Sequence, residues 1–135
     1  MEDQPFYRET QELFRCVSDH DFDALANLCD DDFGIVDLDE HGKNVIVHDR
    51  DGWEEWFLTL FKRLDTMKAE TGTNIQKYEA LKEEKLGYCV VNFCQWLKAG
   101  QQKAEFDCVA TIIWKKTDNG WKESRWHCSL ISRRG

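Results

Sequence analysis

The sequence predicts an α+β fold: three N-terminal helices packed on a strongly curved, mainly antiparallel sheet, a cone with an internal pocket. Three observations predict it. Residues 88–98, 104–116 and 121–131 are rich in Val, Ile, Thr, Phe and Trp, which suit a pleated, half-buried surface. The turns between them are Ala99-Gly100 and Thr117-Asp118-Asn119-Gly120, and Asn and Gly tolerate the positive φ of tight hairpins. The first half of the chain instead carries apolar residues at helical spacing, and those stripes need a sheet to lie on.

In chain order, residues 5–18 read as a helix with Phe6, Leu13, Phe14 and Val17 on one stripe and Asp3 placed to cap it. Asp21 is the expected N-cap of a short second helix that turns Phe22, Leu25, Leu28 and Cys29 inward and ends at Asp30-Asp31-Asp32. Residues 33–38 and 44–48 read as short strands on either side of a His41-Gly42 turn. The third helix is the clearest. Asp51 caps it, Glu54 completes a capping box, and Trp53, Trp56, Phe57, Leu60, Phe61 and Leu64 follow at spacings of three and four. That stripe reads as a core helix on a sheet rather than as an aromatic ligand box. Residues 74–85 alternate weakly and are rich in Lys and Glu, which suits an edge strand.

At period two, Phe106, Cys108, Ala110, Ile112 and Trp114 share one face, and Val109, Thr111 and Ile113 share the other. Both faces are largely apolar, whereas an antiparallel sheet commonly wets one side. A partner subunit is the expected cover, so the chain is expected to form a homodimer through the sheet face.

No repeat or linker divides residues 1–135, and that length suits one domain with one core. A net charge of −8 argues against a nucleic-acid or anionic-membrane partner, because phosphate binding needs a positive field. No apolar stretch approaches membrane-spanning length, and Met1-Glu2-Asp3 lacks the basic and apolar regions of a signal peptide. A cytoplasmic protein is expected. Its six cysteines are then reduced, small hydrophobes. Cys89 and Cys94, five apart on a strand, leave opposite faces, and no Cys-x-x-Cys or histidine pattern suggests a metal or another cofactor. Cys108 and Cys128 fall roughly opposite each other across the hairpin, so a disulfide between them is conceivable, though the compartment argues against it.

The segments Asp21-Phe22-Asp23-Ala24-Leu25 leading to Asp31-Asp32-Phe33, Gln95-Trp96-Leu97-Lys98-Ala99-Gly100, and Trp114…Gly120-Trp121 followed by His127-x-Ser129 occur in that order. In these the chain resembles the nuclear-transport-factor-2-like superfamily, also called SnoaL-like or the cystatin-like cone. The fold hosts many unrelated functions. The spacing is similar to that of the association (hub) domain of calcium/calmodulin-dependent protein kinase II, whose pocket is lined by arginines. The resemblance places those positions at Asn92, Ile112 and Cys128, none of them basic, which implies a neutral pocket wall. The ketosteroid isomerase and polyketide cyclase group is a second relative class. It implies Asp37 as a general base, since a carboxylate in an apolar cone has a raised pKa and can move a proton beside a carbonyl. The acidic donors such an isomerase uses for its oxyanion would fall near Leu13 and near Thr111 or its neighbours, which cannot supply them.

Asn92 falls in register with Val90 and Cys94 on the face assigned to the pocket, where an amide needs a partner or a ligand. Trp126, alternating with Ser124 and Cys128, is placed to wall the pocket, while His127 lies with Arg125 and Ser129 on the opposite, interface face. His48 falls near the pocket mouth by order of elements. The expected function is a small-ligand-binding or assembly domain. Its mostly apolar pocket would be bordered by Asp37, Trp53, Phe57, Asn92, Cys108, Ile112, Trp126 and Cys128. The alternatives are an isomerase- or cyclase-type enzyme with Asp37 as base, and a protein-protein association module.

Overall fold

The computed structural model describes residues 1–39 and 42–135. Among these, the elements run α1 (Tyr7–Asp19), α2 (Phe22–Leu28), β1 (Cys29–Leu38), β2 (Asn44–His48), α3 (Arg50–Thr66), β3 (Glu70–Lys82), β4 (Leu86–Ala99), β5 (Gln102–Thr117) and β6 (Gly120–Arg134). The strands form one curled, unclosed sheet in the order β2-β1-β6-β5-β4-β3, with the helices against its inner face. The expected α+β architecture holds. β3 is an edge strand, and β3 to β6 are antiparallel neighbours. The sheet is mixed because β1 returns beside β6 in parallel.

Local chemistry sets several boundaries. Asp21 caps α2, its Oδ1 accepting from the Ala24 N–H at 3.2 Å. Gly100 and Gly120 sit at φ +63° and +98° in the two hairpin turns, a region an L side chain rarely enters. Of the expected His41-Gly42 turn, His41 lies outside the described residues.

Other boundaries differ from expectation, each for a visible reason. Asp3 does not cap α1; the residue before the helix is Phe6, at φ +64° and with no side-chain cap. Phe6 is a packing anchor instead, its ring 5.8 Å from that of Trp114 and 5.1 Å from that of Trp121. Gly87 makes room for it, since a Cβ there would meet the Phe6 ring at 2.5 Å. The triple aspartate does not end α2 either. It runs on into β1, where Lys115 holds Asp30 at 3.2 Å, so that strand starts at Cys29 rather than at residue 33.

α3 is capped by Asp49, whose Oδ1 accepts from the Gly52 N–H at 2.8 Å, and not by Asp51. Glu54 is drawn to Arg50, 3.4 Å away, rather than back to a capping box. Asp49→Ala is therefore expected to cost about 1 kcal/mol and Asp51→Ala much less, which thermal denaturation of the two variants would separate.

The alternation along β5 is as expected on the inner side: Cys108, Ala110, Ile112 and Trp114 are buried. On the outer side Val109 and Ile113 are half-buried and Thr111 is exposed. α3 turns Trp53, Phe57, Phe61 and Leu64 onto the sheet.

Candidate functional site

Phe33 and Ile35 of β1 point into the core, and two residues on, Asp37 follows them. β1 pairs in parallel with β6 so that Ile35 lies beside Trp126. The Trp126 indole reaches forward from there, its Nε1–H donating to Asp37 Oδ2 at 3.0 Å. The Leu38 N–H donates to Oδ1 at 2.7 Å. Two aromatic rings wall the indole: Phe14 of α1 at 6.1 Å and Phe93 of β4 at 6.0 Å, themselves 4.9 Å apart.

Ile112 lies directly across from Trp126, and Cys128 directly across from Ala110. Cys108 and Cys128 both sense the Asp37 charge. The structure thus gathers Asp37, Trp126, Cys108, Cys128 and Ile112 into one region of the inner face. Burial raises the pKa of Asp37, opposed by the Leu38 and Trp126 N–H groups and by His127. A carboxylate with a raised pKa is a better base than one in water, and it still has lone pairs to offer a ligand.

The remaining predicted residues lie elsewhere. Trp53 is fully buried and Phe57 nearly so; with Phe33 they form a packed triad, ring centroids 5.9 to 6.5 Å apart. They close the core instead of lining a hollow. Asn92 is on the wrong face for a pocket. It pairs with Val109, while Cys89, Val91 and Phe93 are the side chains β4 turns into the core. The cause is that both alternations of β4 are apolar, so periodicity alone cannot say which turns inward. His127 is exposed and paired with Thr111 on the outer face. His48 Nε2 lies 3.3 Å from Arg125 Nη2, away from Asp37.

Sequence reasoning missed Glu123. It is completely buried; its Oε1 takes only the Cys29 thiol at 3.8 Å, and Oε2 has no partner among the described residues. Desolvation raises its pKa to about 8, so the side chain is mostly neutral at pH 7. The signal was hidden by a β-bulge. Trp114 pairs with Glu123 but Ile113 with Arg125, leaving Ser124 as the extra residue. Counting back from His127 and Arg125 puts Glu123 outside, and the bulge turns it in. Glu123 therefore takes the inward position at which the alternation with Trp126 placed Ser124.

A polar cleft of about 400 Å³ opens at this end of the sheet, with Cys29, Arg50, Lys122, Asp23, Asp30 and Asp31 in its lining and none of the predicted pocket residues. Among the described residues no group of three or more His, Cys, Asp or Glu could hold a metal ion. No described helix is long and apolar enough to cross a membrane.

Solved structures with this fold serve varied purposes. A candidate dehydratase of the NTF2-like family from Streptomyces avermitilis superposes with a TM-score of 0.77 at 13% identity, over 91% of each chain. A candidate calcium/calmodulin-dependent protein kinase type II association domain from Thiobacillus denitrificans ATCC 25259 gives 0.71 at 12%, over 96% of each chain. The hexachlorocyclohexane dehydrochlorinase LinA-type3 from Novosphingobium barchaimii LL02 gives 0.70 at 14%, over 93% of this chain and 83% of that one. Identities this low carry the fold and not the chemistry. No curated protein matches the chain. The SnoaL-like domain family matches residues 10–132, and the chain belongs to it.

Proposed function

We propose that the protein is a cytoplasmic ligand-binding domain that works as a homodimer. It takes a small, mostly apolar molecule carrying one hydrogen-bond donor at Asp37 and Trp126. One observation carries this reading: a half-buried carboxylate, held by two N–H groups with lone pairs left over, stands beside an aromatic wall. The wall is uncharged, as Cys108, Cys128 and Ile112 continue it, and Leu130, paired with Cys108, stays 43% exposed at its rim. Because Trp126 donates to Asp37, ligand binding should perturb tryptophan emission. In a titration with small apolar alcohols and phenols, Asp37→Asn is expected to weaken binding about 10-fold or more, the worth of a hydrogen bond to a charged group. Equal affinity in the variant, or no binding by any compound, defeats the reading.

The homodimer rests on the sheet's outer face. Val90, Val109 and Ile113 are half-buried there in the single chain, Tyr88 is 40% exposed, Leu81 48% and Ile46 77%. A face this apolar suits a self-complementary contact. Light scattering should report twice the 16.0 kDa chain mass, and Thr111→Glu, a charge set in the middle of that face, should return the monomer.

A second reading has one observation of its own in favour, the raised pKa of Asp37. In this reading Asp37 is the general base of an isomerase, cyclase or elimination reaction, the last being what the dehydratase and dehydrochlorinase neighbours are named for. The rate would rise with pH through the raised pKa and level off above it, and Asp37→Asn would abolish turnover. The positions for oxyanion donors tell against it: Leu13 is apolar and buried, and Thr111 is exposed on the outer face.

A further inference from the structure

We infer that the ligand of the Asp37 site is an organic cation, a small arylalkyl ammonium whose charge pairs with Asp37 and whose body lies against the aromatic wall at Trp126. This rests on the reading above and names the chemical class that fills the site.

The first observation is a carboxylate without a counter-charge. Asp37 is half-buried, and both of its bonds come from neutral groups, the Leu38 N–H to Oδ1 at 2.7 Å and the Trp126 Nε1–H to Oδ2 at 3.0 Å. Val45, its neighbour on β2, is apolar. Among the described residues the one basic side chain that bears on it is His127, exposed on the outer face. Other carboxylates of the chain are matched: Asp30 by Lys115 at 3.2 Å, Asp31 by Arg50 at 3.3 Å, and Asp107 by Arg134. Burying a charge that has no partner is costly. A bound ammonium removes that cost.

The second observation is a set of rings without a cation. Phe14 and Phe93 stand 6.1 and 6.0 Å from Trp126 and 4.9 Å from each other. The indole holds Asp37 by its edge, so its π-face takes no part in that bond. Elsewhere the chain places its own cations over rings: Arg50 over Trp53, Lys82 over Phe6 and Trp121, and Arg133 over Phe106. Among the described residues none lies over Trp126, Phe14 or Phe93. An ammonium bonded to Asp37 stands beside the indole, whose quadrupole attracts it.

Together these select one class. An anion would face an unpaired carboxylate within a chain of net charge −8. A metal ion needs more ligands than one carboxylate, and among the described residues no group of three or more His, Cys, Asp or Glu could hold one. A neutral alcohol satisfies a lone pair of Asp37 and leaves its charge unanswered, whereas an N⁺–H gives the same atom a charge-assisted bond. The hydrocarbon body then meets the uncharged wall that Ile112 and Cys128 continue beyond Trp126.

The test is isothermal titration calorimetry of wild type and Asp37→Asn at neutral pH with three compounds of similar shape: phenethylamine, which is protonated there, phenethyl alcohol and phenylacetate. Wild type is expected to bind the amine about 10-fold or more tighter than the alcohol, and phenylacetate most weakly. Asp37→Asn keeps the shape and removes the charge, so the preference for the amine should collapse to near parity. An alcohol bound as tightly as the amine by wild type, an amine preference that survives in Asp37→Asn, or phenylacetate bound best each overturn the inference. The alcohol keeps the two claims apart. If the amine preference is missing while phenethyl alcohol still loses affinity in Asp37→Asn, the ligand reading stands and only the cation fails. Binding of none of the three defeats both.

Discussion

Glu123→Gln should flatten the pH dependence of stability. Glu123 is fully buried, with a pKa raised from 4.5 to about 8 by desolvation. Its folded-state pKa lies above its unfolded value, so the folded chain binds more protons between those two pH values. Stability from this group is fully present below about pH 4.5 and is lost as pH rises through about 8. The slope is about 1.4 kcal/mol per pH unit, giving a total loss of several kcal/mol across the window. Glutamine keeps the shape without the proton. Urea denaturation of both proteins at pH 5, 7 and 8.5 would read the difference. The variant should be close to wild type at pH 5 and clearly more stable at pH 8.5. Parallel curves would mean that Glu123 is solvated or paired.

Trp53→Ala should cost about 3–5 kcal/mol, the largest single loss expected from a core truncation here. The ring is fully buried and packs against Phe33 at 5.9 Å and Phe57 at 6.4 Å. Arg50 covers it, with the guanidinium carbon 4.9 Å from the ring centroid. If Trp53 instead bordered an open pocket, as its place on the α3 stripe allowed, its removal would enlarge an existing space at roughly half that cost or less. Chemical denaturation distinguishes the two, and it tests directly whether this part of the cone is solid.

What the sequence made legible was whatever local chemistry determines by itself. Asp21 caps α2 as expected because its side chain needs only the Ala24 N–H three residues on. The turns at Gly100 and Gly120 follow from backbone freedom. Where two nearby residues offer the same chemistry, sequence does not decide. Asp49 and Asp51 are equally good caps on paper, and the choice fell to Asp49 through its bond to Gly52. β4 offers Tyr88, Val90 and Cys94 on one side against Cys89, Val91 and Phe93 on the other, so the placement of Asn92 turned on tertiary packing.

The bulge at Ser124 has the same lesson for the site. One extra residue in β6 reverses parity, and a buried carboxylate is read as a surface one. Trp126, Cys108 and Cys128 share the face that the alternation gave them because β5 and β6 pair without interruption from Cys108–Leu130 to Ile113–Arg125, between the two register shifts. That Phe14 and Phe93 would wall Trp126 could not be read, since it depends on how α1 crosses the sheet.

The claim on which the functional reading stands is that Asp37 and Trp126 hold a ligand inside a two-chain assembly. Native mass spectrometry of freshly purified wild-type protein beside Asp37→Asn tests it most directly. The account predicts two chains with a retained small molecule for wild type, and two chains without it for the variant. A bare monomer, or the same molecule retained equally by both proteins, would contradict it.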